Sequence, residues 1–167
     1  MPETVLDCCV VSNFALAGAL GVLERICANG AWITDFTAAE VMRGIQAGHS
    51  RLRSVPEAAR AGRLRETALA AGDERSLFEE LSRSLGLGEA SSIAVAKARG
   101  FVFASDDRVA RAEAASRGVP LTGTLGLLAK AVRAGVCDLR EADRHLAAMV
   151  EAGFFSPVRS LGEIAPD

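Results

Sequence analysis

The feature that most constrains this chain is an alternation of short apolar segments with longer segments of helical periodicity. The apolar segments cover residues 4–6, 31–34, 101–104 and 119–122. Short runs with few polar residues are typical of strands that are buried on both faces of a parallel sheet. Strands that alternate with helices form such a sheet, with helices packed on both faces. The sequence therefore predicts a three-layer α/β/α fold.

The segments between these strands predict the helices. A first helix is expected over about 14–28, where Leu16, Leu20, Leu23 and Cys27 recur at helical spacing. Further helices are expected after Thr37, over 57–85 as a pair, and over 89–99, 106–117, 124–134 and 138–152. Glycines follow these segments, as expected of residues that end helices in the left-handed conformation: Gly30, Gly48, Gly72, Gly86, Gly100, Gly118, Gly135 and Gly153.

Length and composition predict one compact domain over residues 1–167, because half of the residues are apolar and the chain is too short for two ordinary domains. Lys and Arg total 19 against 21 for Asp and Glu, so a nucleic-acid site would have to be a local feature. The apolar stretch 5–23 is not expected to span a membrane, because no basic residue precedes it and Asp7 interrupts it. The four cysteines lack metal-ligand spacing and are expected to be free, buried thiols of a cytoplasmic protein.

Acidic residues stand where the predicted strands end and the helices begin. Asp7 follows the first strand, and Glu40 lies near the start of the helix after the second strand. Glu89 opens the helix before the third predicted strand, and Asp106 and Asp107 follow that strand. Strand ends and helix starts share one edge of a parallel sheet, where ligands bind. Carboxylates crowded at that edge repel one another unless a cation joins them, and oxygen ligands suit Mg²⁺ or Mn²⁺.

Helix capping is an alternative role for most of these acids. Thr37 and Glu40 have the spacing of a capping box, and Ser105 is a good N-cap followed by two acids. Glu89 at a helix start interacts favourably with the helix dipole. Asp7 is least compatible with a purely structural role, because apolar residues and cysteines flank it without a basic neighbour. Both interpretations remain open at this point.

Five segments of the chain together resemble the PIN domain family. They are Val5-Leu6-Asp7 with Val10 to Phe14, Thr37 to Val41, Gly88-Glu89-Ala90, Ser105 to Arg111, and Thr122 to Gly126. The resemblance extends over about residues 5–155 and is closest to a prokaryotic branch with Gly-Glu-Ala and Asp-Asp-Arg segments. It implies a Rossmann-like PIN fold and a Mg²⁺- or Mn²⁺-dependent ribonuclease, often the toxin of a toxin–antitoxin pair.

The resemblance also implies which acids are catalytic and bind the metal. Asp7 matches the first acid of the family, Glu40 the second, and Glu89 the third. The fourth matches either Asp107, which has the usual Ser-x-Asp spacing, or Asp106, which leaves the strand directly. Both remain candidates.

Residues 41–65 form a basic segment with six arginines and one glutamate, a net charge of +5 in a chain of −2. Arg43, Arg51 and Arg53 are RNA-binding candidates, together with Arg108 beside the acidic pair, because guanidinium groups bind phosphate through two hydrogen bonds. A solvated helix face or an interface with an acidic partner accounts equally well for the charge of the segment.

A metal-dependent ribonuclease fits these features best, because a carboxylate-held metal activates water and needs no covalent nucleophile. The expected partners are RNA, single-stranded or structured, a second copy of the chain and an antitoxin, without a membrane. A catalytically weak PIN-like module that binds RNA or protein is the alternative, since Cys8 and Cys9 replace small hydroxyl residues that are common in the family. A phosphoacceptor receiver domain is disfavoured because Lys97 and Lys130 both lie in helical segments, and Cys9 excludes an Asp-x-Asp phosphatase.

Overall fold

The computed structural model describes residues 2–164 and contains a five-stranded parallel sheet in the order β3-β2-β1-β4-β5. The strands are β1 (Thr4–Leu6), β2 (Ala31–Thr34), β3 (Arg65–Thr67), β4 (Val102–Ala104) and β5 (Leu121–Thr122). Nine α-helices lie in the described part: α1 (Cys8–Leu16), α2 (Leu20–Ile26), α3 (Asp35–Gln46), α4 (Ser54–Arg60), α5 (Asp73–Leu81), α6 (Leu87–Arg99), α7 (Arg108–Ser116), α8 (Thr124–Arg133) and α9 (Leu139–Glu151). Two short 3-10 helices cover Ser50–Arg53 and Leu161–Glu163.

Successive strand residues point to opposite faces of the sheet and build a hydrophobic cluster on each. Val5 and Phe103 pack with α5, α6 and α7 on one face. Leu6, Ile33 and Ala104 pack with the other six helices on the opposite face. All five side chains are almost completely buried. The predicted three-layer α/β/α fold is therefore confirmed.

The order of the strands places a change of direction at the centre of the sheet. The chain proceeds from β1 outward to β2 and β3, and then returns to the other side of β1 to form β4 and β5. Thr4 of β1 is in register with Ala31 of β2 and with Val102 of β4. Parallel sheets bind ligands beyond the carboxyl ends of the strands at such a change of direction. The residues that follow β1 and β4 are thereby placed at the favoured position for a site.

The predicted first helix is wrong in its bounds. Helix α1 begins immediately after Asp7, which is its N-cap, and it ends at Leu16. The chain turns at Gly18, whose φ of +68° is accessible to glycine at low cost, before α2 begins at Leu20. The periodic leucines therefore belong to two short helices instead of one.

Strand β3 is missing from the prediction, which assigned helices to most of residues 57–85. Arg65 and Glu66 are exposed on this edge strand, so it carries no buried apolar pattern. It pairs with β2 through Trp32 and Arg65, and the guanidinium group of Arg65 lies 5.3 Å from the centre of the Trp32 ring. Charged residues on an edge strand also discourage pairing with other chains.

Several helix ends differ from the prediction, whereas α8 and α9 lie where it placed them. Helix α3 begins at Asp35, α6 at Leu87 and α7 at Arg108. Gly86 has a φ of −61° and precedes α6 as its N-cap, so it does not end a helix. These shifts alter the roles of the acids at the edge of the sheet.

Two further sequence expectations concern the cysteines and the membrane. All four cysteines are free; Cys27 and Cys137 are buried as predicted, whereas Cys8 and Cys9 are only partly buried. No helix within residues 2–164 is both long enough and apolar enough to cross a membrane.

Candidate active site

Asp7 lies at the carboxyl end of the central strand and is only 3% exposed. Its Oδ1 accepts a hydrogen bond from the backbone N–H of Cys8 at 2.7 Å. Its Oδ2 accepts from Ser105 Oγ at 2.8 Å and from Cys9 Sγ at 3.3 Å. Burial raises the pKa of Asp7 above its ordinary value of 3.8 in spite of these bonds, and the charge of Asp107 adds to the effect. A positive charge beside Asp7 would therefore be strongly favoured.

Glu40 does not cap a helix. Thr34 caps α3 by accepting a hydrogen bond from the Thr37 N–H at 3.2 Å, so Glu40 falls in the second turn and the predicted capping box is wrong. Instead, Glu40 Oε1 accepts a hydrogen bond from the Gly88 N–H at 3.3 Å. Partial burial raises the pKa of Glu40, and the charge of Asp7 raises it further.

The structure explains why each residue type occurs in the Gly-Glu-Ala segment, residues 88–90. A Cβ atom on Gly88 would lie 2.5 Å from Oε2 of Glu40, so only glycine admits this carboxylate without displacing it. Glu89 Oε2 accepts a hydrogen bond from the Gly86 N–H at 3.2 Å, which confirms its predicted place at the start of a helix. Ala90 is completely buried against the sheet.

Glu89 combines this capping bond with electrostatic coupling to the other acids. Partial burial is the largest cause that raises its pKa, and the charges of Asp7, Asp107 and Glu40 also raise it. Carboxyl groups raise one another's pKa only when their charges lie close together. The capping interpretation therefore does not separate Glu89 from the other carboxylates at this end of the sheet.

Both carboxylate oxygens of Asp106 accept hydrogen bonds from other residues of the protein. Its Oδ1 accepts from the Thr124 N–H at 2.8 Å, and its Oδ2 accepts from Thr124 Oγ1 at 2.5 Å and from Asn13 Nδ2 at 3.2 Å. A Cβ atom on Gly123 would lie 2.7 Å from Oδ1, so this glycine permits the close approach of α8. Asp106 thereby joins α1 and α8 to the end of β4.

Asp107 is the member of this pair that is coupled to the other acids, since its charge raises the pKa of both Asp7 and Glu89. It also caps α7, because its Oδ1 accepts from the Ala110 N–H at 2.8 Å; the predicted cap, Ser105, is therefore wrong. Ser105 has a different role that the sequence did not reveal. Its hydroxyl group accepts from the Asp107 N–H at 3.1 Å and donates to Asp7, so it fixes the two acids relative to each other.

Asp7, Glu40, Glu89 and Asp107 form what we call the acidic edge, and its donor set suits a hard divalent cation. All four groups supply carboxylate oxygens, which Mg²⁺ and Mn²⁺ prefer. Burial and the charges of neighbouring carboxylates raise the pKa of Asp7, Glu40 and Glu89, and the charge of Arg43 offsets only part of this effect at Glu40. Among residues 2–164, no three Asp, Glu, His or Cys side chains converge into a preformed metal cluster. The fit therefore depends on oxygen donors and unbalanced charge, and not on a ready coordination geometry.

The arginines of the basic segment are exposed but differ in their contacts. Arg43 lies near enough to Glu40 to lower the pKa of that carboxyl, which places it beside the acidic edge. Arg51 Nη1 donates to the Leu16 carbonyl at 2.9 Å and so attaches the segment to α1. Within the described chain, the side chain of Arg53 makes no hydrogen bond or ion pair. Of the three predicted RNA-binding arginines in this segment, Arg43 and Arg53 therefore have fewer structural contacts than Arg51.

Two clefts open beside the carboxyl end of β4, with volumes of about 590 and 470 Å³. The larger contains Asp107 and the exposed Arg108, and the smaller contains Arg111. Both include Asp106 and the side chain of Phe155. Clefts of this size accommodate small ligands or a few groups of a polymer.

A comparison with protein families agrees with this geometry. A family model described as a PIN domain matches residues 3–166, which include all five strands and the whole acidic edge. No curated protein and no solved structure shows a significant match. The family model covers nearly the entire chain and confirms the resemblance at the level of the family. The chain therefore belongs to the PIN domain family, whose fold is nuclease-like.

Proposed function

We propose that this protein is a metal-dependent endoribonuclease that hydrolyses RNA phosphodiester bonds at the acidic edge, with Mg²⁺ or Mn²⁺ as its cofactor. One observation carries the proposal: Ser105 joins Asp7 to Asp107 where β1 and β4 end, and Glu40, bonded to the Gly88 N–H, and Glu89 lie close enough for the charge of Asp7 to raise their pKa in addition to burial. Carboxyl groups gathered at the carboxyl ends of parallel strands favour a bound metal ion, because Arg43 offsets only part of the charge at Glu40.

In this proposal some residues of the site bind the metal and others hold the metal-binding residues in position. Asp7, Glu40, Glu89 and Asp107 would hold the metal. A bound divalent cation makes water nucleophilic near neutral pH and stabilises negative charge on the phosphate. Ser105 fixes Asp7 relative to Asp107 through its two hydrogen bonds. In this proposal Asp106 is a positioning residue, because its oxygens accept bonds from α1 and α8.

RNA is the proposed substrate, in single-stranded or structured form. Arg43 and Arg53 are exposed on the segment that follows Glu40, and Arg108 is exposed next to Asp107. These guanidinium groups would bind phosphates on either side of the acidic edge. Arg51 contributes mainly by holding the basic segment through its bond to Leu16.

The proposal includes a cytoplasmic toxin, a single domain over residues 1–167, a homodimer and an antitoxin protein as a partner. Met42, Leu87 and Val109 are 45%, 50% and 62% exposed, and they are apolar side chains from which a protein contact could be built. Light scattering would give the oligomeric state. A small protein encoded beside the gene would be tested for inhibition of cleavage.

A catalytically weak binding module is the second candidate, and the environment of the two thiols favours it. Cys9 Sγ accepts from the Asp106 N–H at 3.4 Å and donates to Asp7, where a hydroxyl group would bond more strongly. Cys8 Sγ lies 3.6 Å from Ser12 Oγ, and a thiol is a weaker hydrogen-bond donor and acceptor than a hydroxyl group. Neither thiol therefore replaces a small hydroxyl residue fully as a partner for water or phosphate.

The test compares wild-type protein with Asp7→Asn in two assays, with Mn²⁺ or Mg²⁺ present or chelated. We expect metal to raise the melting temperature of the wild type and to permit cleavage of a labelled single-stranded RNA. Asp7→Asn should lose both responses while it remains folded. If the metal shifts the melting temperature of the two proteins equally, the assignment of the metal site is wrong. If the wild type binds metal and RNA without cleavage, the binding module is the better description.

A further inference from the structure

Phe155 exposes its aromatic ring at the rim of both clefts beside the acidic edge. Its side chain is 93% exposed, the largest exposure among the large apolar residues of the described chain. The two clefts share this ring and Asp106. An exposed phenyl ring contributes little to folding, because it leaves its apolar surface in water. Its place next to the site points to a ligand.

The backbone that carries Phe155 is anchored on both sides. The Phe154 N–H donates to the Met149 carbonyl at 2.9 Å, at the end of α9. Ser156 Oγ donates to the Val158 carbonyl at 2.7 Å. Phe154 and Val158 are partly buried against the core. The ring is therefore presented from a supported segment.

Positive charge lies in the same clefts. The exposed Arg108 lines the larger cleft. In the smaller cleft, Arg111 Nη1 donates to the carbonyl groups of Ser105 at 2.8 Å and Thr122 at 2.7 Å, so its guanidinium group is fixed. The clefts thus combine a flat apolar ring with cationic groups next to carboxylates. A nucleotide offers the complementary set, which is a flat base joined to a phosphate.

We propose that Phe155 is a stacking platform for an unpaired base of single-stranded RNA and holds the strand beside the acidic edge. This inference rests on the proposed function. Aromatic side chains bind any base through its π-face, so the contact would not read the sequence. A base within a duplex already has stacked neighbours on both sides. The platform would therefore favour single-stranded over double-stranded RNA.

The experiment measures RNA binding with Asp7→Asn as the background, so that the RNA remains intact. The probes are a 12-nucleotide oligoadenylate and a 12-base-pair RNA duplex. Phe155→Leu keeps an apolar side chain but removes the ring, and Phe155→Trp keeps a ring. Val150→Ala is the matched control, because it shortens another exposed apolar side chain, 47% exposed, on α9.

Phe155→Leu should weaken binding of the single strand by about 5- to 150-fold, the range that corresponds to the loss of one stacked base. Its affinity for the duplex should not change. Phe155→Trp and Val150→Ala should bind the single strand as the background protein does. The added tryptophan should also be quenched when the single strand binds, because a stacked base lies against it.

Three results would overturn the inference. Equal binding by Phe155→Leu and the background protein would show that no base stacks there. Equal weakening for single strand and duplex would show that the ring does not stack on an unpaired base. A change in oligomeric state would assign the ring to a protein contact. In these cases the wild type would still cleave RNA, and the proposed function would stand. If the wild type neither binds nor cleaves single-stranded RNA, both proposals fail together.

Discussion

Replacement of Gly88 by alanine should separate the position of Glu40 from the stability of the fold. The new Cβ atom would lie 2.5 Å from Oε2 and 2.8 Å from Oε1 of Glu40. Ordinary non-bonded contacts lie near 3.5 Å, so the carboxylate must withdraw by about 1 Å. The obstacle is the free end of a flexible side chain, so the carboxylate moves and the helix remains.

The expected change in stability is small because two effects oppose each other. The hydrogen bond from Gly88 to Glu40 is lost, which costs about 0.5–1.5 kcal/mol. Alanine in place of glycine favours the helix by about 0.8–1 kcal/mol. The free energy of unfolding should therefore change by less than about 1 kcal/mol, a shift in melting temperature of roughly 2–4 °C at most. Cleavage should fall by about 100-fold, since misplacement of a catalytic group by about 1 Å has this effect.

Gly21→Ala is the matched control. Gly21 is the second residue of α2, as Gly88 is of α6, and a Cβ atom there would meet nothing within 4 Å. Both variants are measured by thermal unfolding, with and without Mn²⁺, and by cleavage of labelled RNA. Gly21→Ala should cleave at the wild-type rate. If Gly88→Ala cleaves equally fast and responds equally to Mn²⁺, the position of Glu40 is irrelevant to activity; if it unfolds, the carboxylate is not free to move.

Three further predictions address the acids and the arginines. Without metal, Glu40→Gln should melt within a few degrees of the wild type, because Glu40 caps no helix. The variant should lose most metal-dependent cleavage, because the amide is a poorer metal ligand than the carboxylate. If the variant cleaves at the wild-type rate, Glu40 is not part of the site. Folding raises the pKa of Asp7, so ionisation of this carboxyl lowers the stability of the wild type as the pH rises above 3.8. In the presence of a chelator, the unfolding free energy of Asp7→Asn minus that of the wild type should therefore increase with pH above 3.8. Denaturant titrations that give a constant difference would refute this. The double variant Arg43→Ala and Arg53→Ala should bind RNA more weakly and with a smaller salt dependence, whereas Arg144→Ala on α9 should bind as the wild type does. If the double variant and the wild type have equal salt slopes, the basic segment contacts a protein partner or solvent.

The sequence predicted four of the five strands because their residues are mostly buried, completely so in β1 and β4 and partly in β5. Phe103 and Leu6 must be apolar there, so the segments stand out in composition. Edge strand β3 has no such requirement, since Arg65 and Glu66 face solvent. The break between α1 and α2 was also missed, because Leu16 and Leu20 keep a helical spacing across Gly18. Local periodicity does not show where packing interrupts a helix.

The sequence by itself determined the fold class, and it placed the acids at one edge of the sheet, since the order of strands and helices is a local property. Only the tertiary structure distinguished their surroundings. Asp106 and Asp107 are equivalent candidates in sequence, yet one bonds to Thr124 of α8 and the other shares Ser105 with Asp7, 98 positions away from Ser105. Burial, mutual charge and the clearance at Gly88 arise from groups that are distant along the chain. Their effects exist only after the chain has packed.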